Sequence, residues 1–447
     1  GARVALIEKG PMGGDCLNTG CVPSKALIAC AGAAHAVGRA AAFGVQAADP
    51  KIDGAAVHAH VRSVIEAIEP NDSVERFRAL GVNVIEAEGR FSGPGEVRAG
   101  DTSVRARRFV IATGSSPFVP PVPGLDGVPY LTNETVFDLN EIPGRLIVIG
   151  GGPIGIEMAQ AYRRLGARVT VLEMFSILPK DDPELADVIR RRLIFEGVDI
   201  SEGVKVVGAS GSGGDIRVSF TAADGSQGMA AGTHILVAAG RRPNLDGLGL
   251  EAAGVETTRH GITVDAGLRT TNKKIFAIGD VTGGLQFTHM AAYQAGVVIK
   301  NALFRLPARA VTTAVPWVTY TDPELAQVGM SEAAAREKGL KINILRWPFA
   351  DNDRARAELE TDGMVKVVTD KRGRILGCGI AAAQAGELIQ PWIPALAGKR
   401  KIGEIANMIA PYPTLGEASK RAAGSFFAPM LFSARTRRLV RFLSFFG

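Results

Sequence analysis

The chain has 447 residues, more than one hydrophobic core normally supports, so two to four domains are expected. Hydrophobic residues make up 46% and glycines number 54, a composition far from disorder and close to glycine-rich nucleotide-binding α/β proteins. The net charge of +6 comes partly from Arg435, Arg437, Arg438 and Arg441, so it argues poorly for a nucleic-acid partner, and four cysteines are too few for a disulfide scaffold.

No apolar run is read as reaching membrane-spanning length and no basic-then-apolar secretion signal opens the chain, which makes the cytoplasm the expected compartment. In chain order, Arg3–Glu8 reads as a strand ending in an acid, the second strand of a dinucleotide-binding unit whose Glu8 binds ribose hydroxyls. The glycine loop of that unit belongs about 20 residues upstream. It would fall before residue 1, so this unit is expected to be short of its first strand and phosphate loop.

The run Met12–Lys25 follows, with Gly13 and Gly14 leading into Cys16 and Cys21. Cysteines in the first turn of a helix sit where unpaired N–H groups and the helix dipole favour thiolate. On an ideal helix, residues five apart are rotated about 140° from one another, so bridging these two needs a local distortion, which Gly20 makes cheap. The pattern reads as a redox dithiol. Cys30 and Cys378 read as ordinary buried thiols.

A long helical stretch is expected from about Asp53 to Leu80; its His58 and His60 point about 200° apart and read as solvated rather than metal-binding. Phe109–Ser115 reads as a buried strand breaking at Gly114, and the proline-rich run from Pro117 to Gly124 as a linker. A complete second dinucleotide unit comes next: strand Leu146–Ile149, the loop carrying Gly150, Gly152 and Gly155, a helix to Leu165, and strand Arg168–Leu172 delivering Glu173. A carboxylate there suits ribose hydroxyls, whereas beside a 2′-phosphate its repulsion reaches about 4 kcal/mol per charge pair, so NADH is favoured over NADPH.

Gly240–Asn244 closes that unit, Thr271–Asp280 reads as a strand delivering an acid, and from Thr312 onward alternating strands such as Met364–Val368 point to a mixed α+β domain. The chain ends in a tail in which ten apolar residues, six of them phenylalanine, are interleaved with the four arginines. Packing on the C-terminal domain with arginines in water is the expectation for it, and contact with an anionic membrane surface is the alternative.

The Gly-Gly-x-Cys-x4-Cys-x-Pro-Ser-Lys segment, supported by the later motifs, resembles the redox-disulfide signature of the class I flavoprotein disulfide reductases, the family of dihydrolipoamide dehydrogenase, glutathione reductase and mercuric reductase. The resemblance implies an α/β fold with two Rossmann-like dinucleotide-binding domains plus a C-terminal α+β dimerisation domain. It sets an FAD domain at 1–116 with its return at 245–311, a linker at 117–144, an NAD(P) domain at 145–244 and a dimerisation domain at 312–447. The implied cofactors are FAD and NAD(P)H and the implied assembly is a homodimer. FAD would be held by Glu8, Gly13, Gly14, Lys25, Gly89, Thr113, Gly114, Asp280 and Thr288, and the nicotinamide nucleotide by Gly150, Gly152, Gly155, Glu173, Gly240 and Arg241. Cys21 would lie against the flavin, Cys16 would meet the substrate, and Lys25 would pair with Glu157 near the reactive flavin nitrogen.

One departure bears on chemistry. Members that reduce disulfides carry His-Pro-Thr-x-x-Glu near the C-terminus, contributed by the other subunit, and here it reads Tyr412-Pro413-Thr414-Leu415-Gly416-Glu417. No histidine follows His289, and a phenol with pKa near 10 is a poor base at neutral pH. Tyrosine at this place resembles mercuric reductase, although the vicinal cysteines and metal-binding domain typical of that enzyme have no counterpart in this sequence. The expected acceptor is a small thiol or disulfide or a metal ion, with no nucleic acid involved. The rivals are a dihydrolipoamide dehydrogenase-like reductase, a flavin-only diaphorase or transhydrogenase, and a non-catalytic redox sensor.

Overall fold

The structure is a computed structural model describing residues 2–446. It forms two compact units, one of residues 2–175 and 197–311, the other of residues 176–196 and 312–446.

In the first unit, strand Ala5–Glu8 pairs in parallel with Asn83–Glu86, and Phe109–Ile111 pairs in parallel with Ile275–Ala277, the strand that returns from late in the chain. The nucleotide-type sheet is complete, with Arg145–Ile149 at its centre between Arg168–Leu172 and His234–Val237, all parallel. Its central strand is buried from Leu146 to Ile149, as expected of a sheet covered on both faces. The stretch expected as a linker does more than connect: Tyr130–Leu131 adds an edge strand to this sheet, and Leu125 is fully buried beneath it.

The second unit is an antiparallel five-stranded sheet in the order Pro316–Thr319, Glu324–Gly329, Ile375–Ala382, Met364–Asp370, Ile342–Pro348. Its core gathers Phe349, Trp392, Ala418 and Ala422, and the Trp392 indole donates to Ser419 Oγ at 3.0 Å. Residues 176–196, expected within the NAD(P) domain, belong to this unit instead. The reason is specific pairing: Lys366, almost fully buried, reaches Asp182 at 2.8 Å and Glu184 at 2.8 Å, and Arg192 reaches Asp362 at 2.6 Å.

Other expectations need correction. The helix expected over 53–80 is two helices, Gly54–Ile68 and Val74–Ala79, separated by a turn containing Pro70. His58 is not simply solvated, because its Nδ1 lies 3.1 Å from the Phe137 carbonyl. The strand expected over Phe109–Ser115 stops at Ile111, and Val110 within it is exposed. Cys30 is half-buried, whereas Cys378 is buried as expected. The helical run Gly14–Phe43 is long and apolar enough by composition to cross a membrane; it includes the dithiol, and its Leu17, Leu27 and Ala31 belong to the core.

The tail meets its expectation only in part. Phe426 and Phe427 at its start pack against the core of the C-terminal unit as expected, whereas helix Ala434–Leu443 beyond them has no buried residue.

Candidate active site

Cys16 and Cys21 do not share one helix. Helix α1 (Gly14–Asn18) ends at Thr19, Gly20 breaks the run, and helix α2 (Cys21–Arg39) begins at Cys21 itself. A side chain at Gly20 would meet the Asp15 carbonyl oxygen at 2.9 Å, so the break needs glycine. Asn18 fixes the entry from the other side, donating to the Met12 and Gly14 carbonyls at 3.0 and 2.9 Å.

The break sets Cys21 at the N-terminus of a long helix, with Cys16 just before it. The neighbouring Cys16 thiol, the Thr288 hydroxyl at 3.6 Å and the charge of Lys25 outweigh burial and the charge of Asp15, and hold the Cys21 thiol down at about 6. Cys16 moves the opposite way, since its proton is the one shared with Cys21 and burial adds to the shift. The pair is therefore one thiolate and one thiol near neutral pH. Thr288 opens helix Thr288–Ala302, where the resemblance sets the floor of the flavin.

Lys25 lies one turn along α2, and its Nζ donates to Glu157 Oε2 at 2.6 Å. Glu157 is buried on helix Pro153–Arg164, directly after the glycine loop. In that loop a side chain at Gly155 would fall 2.1 Å from the Gly150 carbonyl oxygen, while Gly152 at the helix N-cap faces open space. Close packing at one glycine and room beside the helix N-terminus at the other fit a pyrophosphate. Glu173 accepts hydrogen bonds from the Gly151 and Phe175 backbone N–H groups, which brings its carboxylate to the loop.

The residues expected at FAD are distributed as follows. Glu8 ends its strand and accepts from the Gly10 N–H at 2.9 Å, and Gly13 and Gly14 carry left-handed backbone into α1. Thr113 and Gly114 follow the strand in which Val110 is open to solvent, and Asp280 accepts from Ser115 Oγ at 2.6 Å. The exposed Val110 with the hydroxyl of Thr113 and the carboxylate of Asp280 nearby in the chain's return fits a flavin nucleotide. Gly89 is different: a side chain there would crowd Ile7 Cγ2 at 3.1 Å, so packing accounts for this glycine.

Gly240 faces open space, but Arg241 is already engaged, through Nη2 to Asp15 at 2.7 Å and through Nε to Ser115 Oγ at 2.8 Å. Asp15, Thr19, Asn133 and Ser115 escaped the sequence reading. Only Asp15 left a signal, an acid set between two motif residues.

In the second unit, Asn352 Nδ2 donates to the Thr414 carbonyl at 3.0 Å and fixes the turn that presents Tyr412. Tyr412 is largely exposed and donates its hydroxyl to Asp353 Oδ2 at 2.9 Å, which raises its pKa further. Glu417 begins helix Glu417–Gly424 and is reached by Arg421 at 3.5 Å.

With this geometry in view, the comparisons are direct. Residues 1–295 match the pyridine nucleotide-disulphide oxidoreductase family, and residues 315–423 match its dimerisation domain. The chain belongs to this family. It is 34% identical to the mercuric reductase of Lysinibacillus sphaericus, over 95% of this chain and 78% of that one. It is 36% identical to the dihydrolipoyl dehydrogenase of Thermus scotoductus, over 95% of this chain and 92% of that one. Among solved structures, it is similar to the HOCl-induced flavoprotein disulfide reductase RclA of Escherichia coli, bound to Cu(II), with TM-score 0.84, 29% identity and 94% of each chain covered. It is also similar to LpdA of Mycobacterium tuberculosis, with TM-score 0.85, 30% identity, and 95% of this chain and 93% of that one covered. The family is FAD-dependent and uses NAD(P)H, its dimerisation domain supports a homodimer, and the chain is accordingly a pyridine nucleotide-disulfide oxidoreductase.

Proposed function

We propose that the Cys16–Cys21 dithiol passes two electrons at a time, originating in NADH, to a soft metal ion held as a thiolate complex, in the manner of a mercuric reductase. The bound cofactors supply the hydride and two-electron chemistry. The chain's own residues manage charge and protons. Glu157 orients Lys25 beside the first turns of the glycine-loop helix, and Thr288 and Lys25 stabilise the Cys21 thiolate. Glu173 supports NADH over NADPH by its charge; the ratio of NADH to NADPH consumption tests that preference.

The observation that carries the choice of acceptor is Tyr412. Reducing a disulfide consumes two electrons and two protons, and needs a group that gives and takes a proton near pH 7. The Tyr412 phenol, held by Asp353 and raised further from neutrality, stays protonated and is no such group. Reducing a divalent metal ion to the metal consumes two electrons and no proton. A protonated phenol suffices to orient a thiolate-held ion.

The test is NADH oxidation with Hg(II) in excess thiol set beside lipoamide and glutathione disulfide. Turnover with Hg(II) exceeding that with either disulfide is expected; the reverse order overturns the metal-ion reading.

We also infer that the tail helix Ala434–Leu443 rests on an anionic lipid surface. At about 100° per residue, Leu439, Phe442 and Leu443 fall on one arc, which Arg435 shares, and Arg437, Arg438 and Arg441 on the other. Residues 425–446 contain four arginines and no acid, and a second copy of a chain carrying +6 is the less complementary surface. Co-sedimentation with phosphatidylglycerol-containing vesicles, lost on pure phosphatidylcholine and in Arg437→Glu/Arg441→Glu, is expected; equal partitioning to both, or none, overturns it.

A further inference from the structure

Asp15 has no part in the electron path, yet it is the most heavily hydrogen-bonded side chain of the dithiol segment. Its carboxylate accepts from Arg241 Nη2 at 2.7 Å, from Thr19 Oγ1 at 2.7 Å and from Asn133 Nδ2 at 3.3 Å. Arg241 in turn donates through Nε to Ser115 Oγ at 2.8 Å and through Nη2 to the Ser115 carbonyl at 2.7 Å, and Ser115 continues to Asp280. The Arg241 side chain is only 14% exposed, whereas that of Asp15 is 45% exposed, so the guanidinium is fixed in the interior and the carboxylate is partly screened by solvent.

A carboxylate here works against the dithiol. The segment has to favour a thiolate at Cys21, and a negative charge just before Cys16 opposes that, as the upward push of Asp15 on Cys21 shows. What Asp15 gives in return is position, because its Thr19 and Asn133 bonds hold the end of α1 where Gly20 breaks the chain.

Resting on the reading of Cys16–Cys21 as the electron carrier, we propose that Asp15 and Arg241 form a positioning pair for the dithiol. Asp15 fixes the break between the helices, and Arg241, bonded to it at 2.7 Å, offsets part of the charge that Asp15 sets beside the Cys21 sulfur. The other groups facing that sulfur are the Cys16 thiol from α1, Lys25 from the next turn of α2 with its partner Glu157, and the Thr288 hydroxyl from helix Thr288–Ala302. Lys25 is the only other cation among them, and Glu157 holds it.

The test is the pH midpoint of Cys21 alkylation by iodoacetamide in the full, reduced chain, followed peptide by peptide so that Cys16, Cys30 and Cys378 do not contribute. Asp15→Asn keeps the size and one acceptor oxygen for Thr19 and Asn133 and removes the charge that faces Arg241; it is expected to lower the midpoint by about half to one pH unit. Arg241→Gln is expected to raise it by a similar amount, Arg241→Lys to hold it near the parent value, and Asp15→Asn/Arg241→Gln to return it there. A merely structural link moves both single variants the same way or neither, and either result overturns the proposal. If Arg241→Gln fails to fold, Asp15→Asn and Arg241→Lys decide. The readout needs no turnover, so an inactive dithiol and a mistaken pairing give different results: the first loses acceptor reduction with the opposed shifts intact, the second loses the opposed shifts.

Discussion

Lys25 Nζ and Glu157 Oε2 meet at 2.6 Å although 132 residues separate them in the chain. One end rides on the dithiol helix and the other on the glycine-loop helix, so a single ion pair connects the two motifs most legible in the sequence. Removing the lysine takes a cation from a carboxylate that is only 6% exposed. Lys25→Met is expected to cost about 2 kcal/mol, below the range for a fully buried pair because the lysine itself reaches solvent. The midpoint of urea denaturation measures it, and Glu157→Gln, which keeps a hydrogen bond without the charge, is expected to cost less.

The thiols are expected to titrate apart. Cys21 is held down at about 6, so its thiolate fraction grows as pH rises through that value rather than near 9, and iodoacetamide alkylation of Cys21 reaches half its maximal rate there. Cys16 is raised and remains unmodified through the same range. Peptide mapping across pH 5 to 9 (roughly the span in which these thiols separate) measures both, and coincident titration would contradict the assignment.

Lys366 anchors three carboxylates, Asp182 at 2.8 Å, Glu184 at 2.8 Å and Glu332 at 3.1 Å. Lys366→Met leaves them facing one another and is expected to cost about 3–5 kcal/mol near neutrality. Glu184 is held down at about 2, first by Arg346 and then by Lys366, so its contribution is full above the ordinary carboxylate value and fades as pH falls through about 2. In the variant, Glu184 keeps Arg346 and Glu332 keeps Arg336, but both lose the Lys366 charge and rise part of the way towards ordinary carboxylates. The deficit in thermal stability should therefore be smaller near pH 4 than near pH 7 (roughly either side of an ordinary carboxylate pKa).

Tyr412 separates the acceptors. Tyr412→His restores an imidazole and is expected to raise lipoamide or glutathione disulfide reduction by at least about tenfold, the low end for an added acid–base group once the loss of perfect placement is allowed for. Tyr412→Phe is expected to slow metal-ion reduction about tenfold, the equivalent of one hydrogen bond, and to leave flavin reduction by NADH unchanged. Stopped-flow measurement of the two half-reactions distinguishes these effects.

The parts of the fold readable from sequence are those in which one short segment carries its own physics. Strand, glycine loop, helix and acid occur in order between Leu146 and Glu173, and the structure has them so. The Lys25–Glu157 pair was readable only through family resemblance, since nothing local links the two residues. What escaped is of another kind. The division of Cys16 and Cys21 between two helices depends on how closely Gly20 approaches the Asp15 carbonyl, a distance no spacing encodes. The Asp15–Arg241 pair spans 226 residues, and residues 176–196 depart from the expected domain because a buried lysine 184 positions later pairs with Asp182. The exposure of the tail helix is likewise a matter of what lies beside it, which composition leaves open.

The central claim, that electrons leave through the Cys16–Cys21 dithiol, is tested most directly by anaerobic NADH titration of the FAD-loaded full chain with and without Cys21→Ser. A long-wavelength thiolate-to-flavin absorption band that appears in the parent and is lost in the variant, together with loss of acceptor reduction, is the expected result. Flavin bleaching without that band in the parent, with acceptor reduction unaffected by Cys21→Ser, would contradict the claim and leave a flavin-only diaphorase.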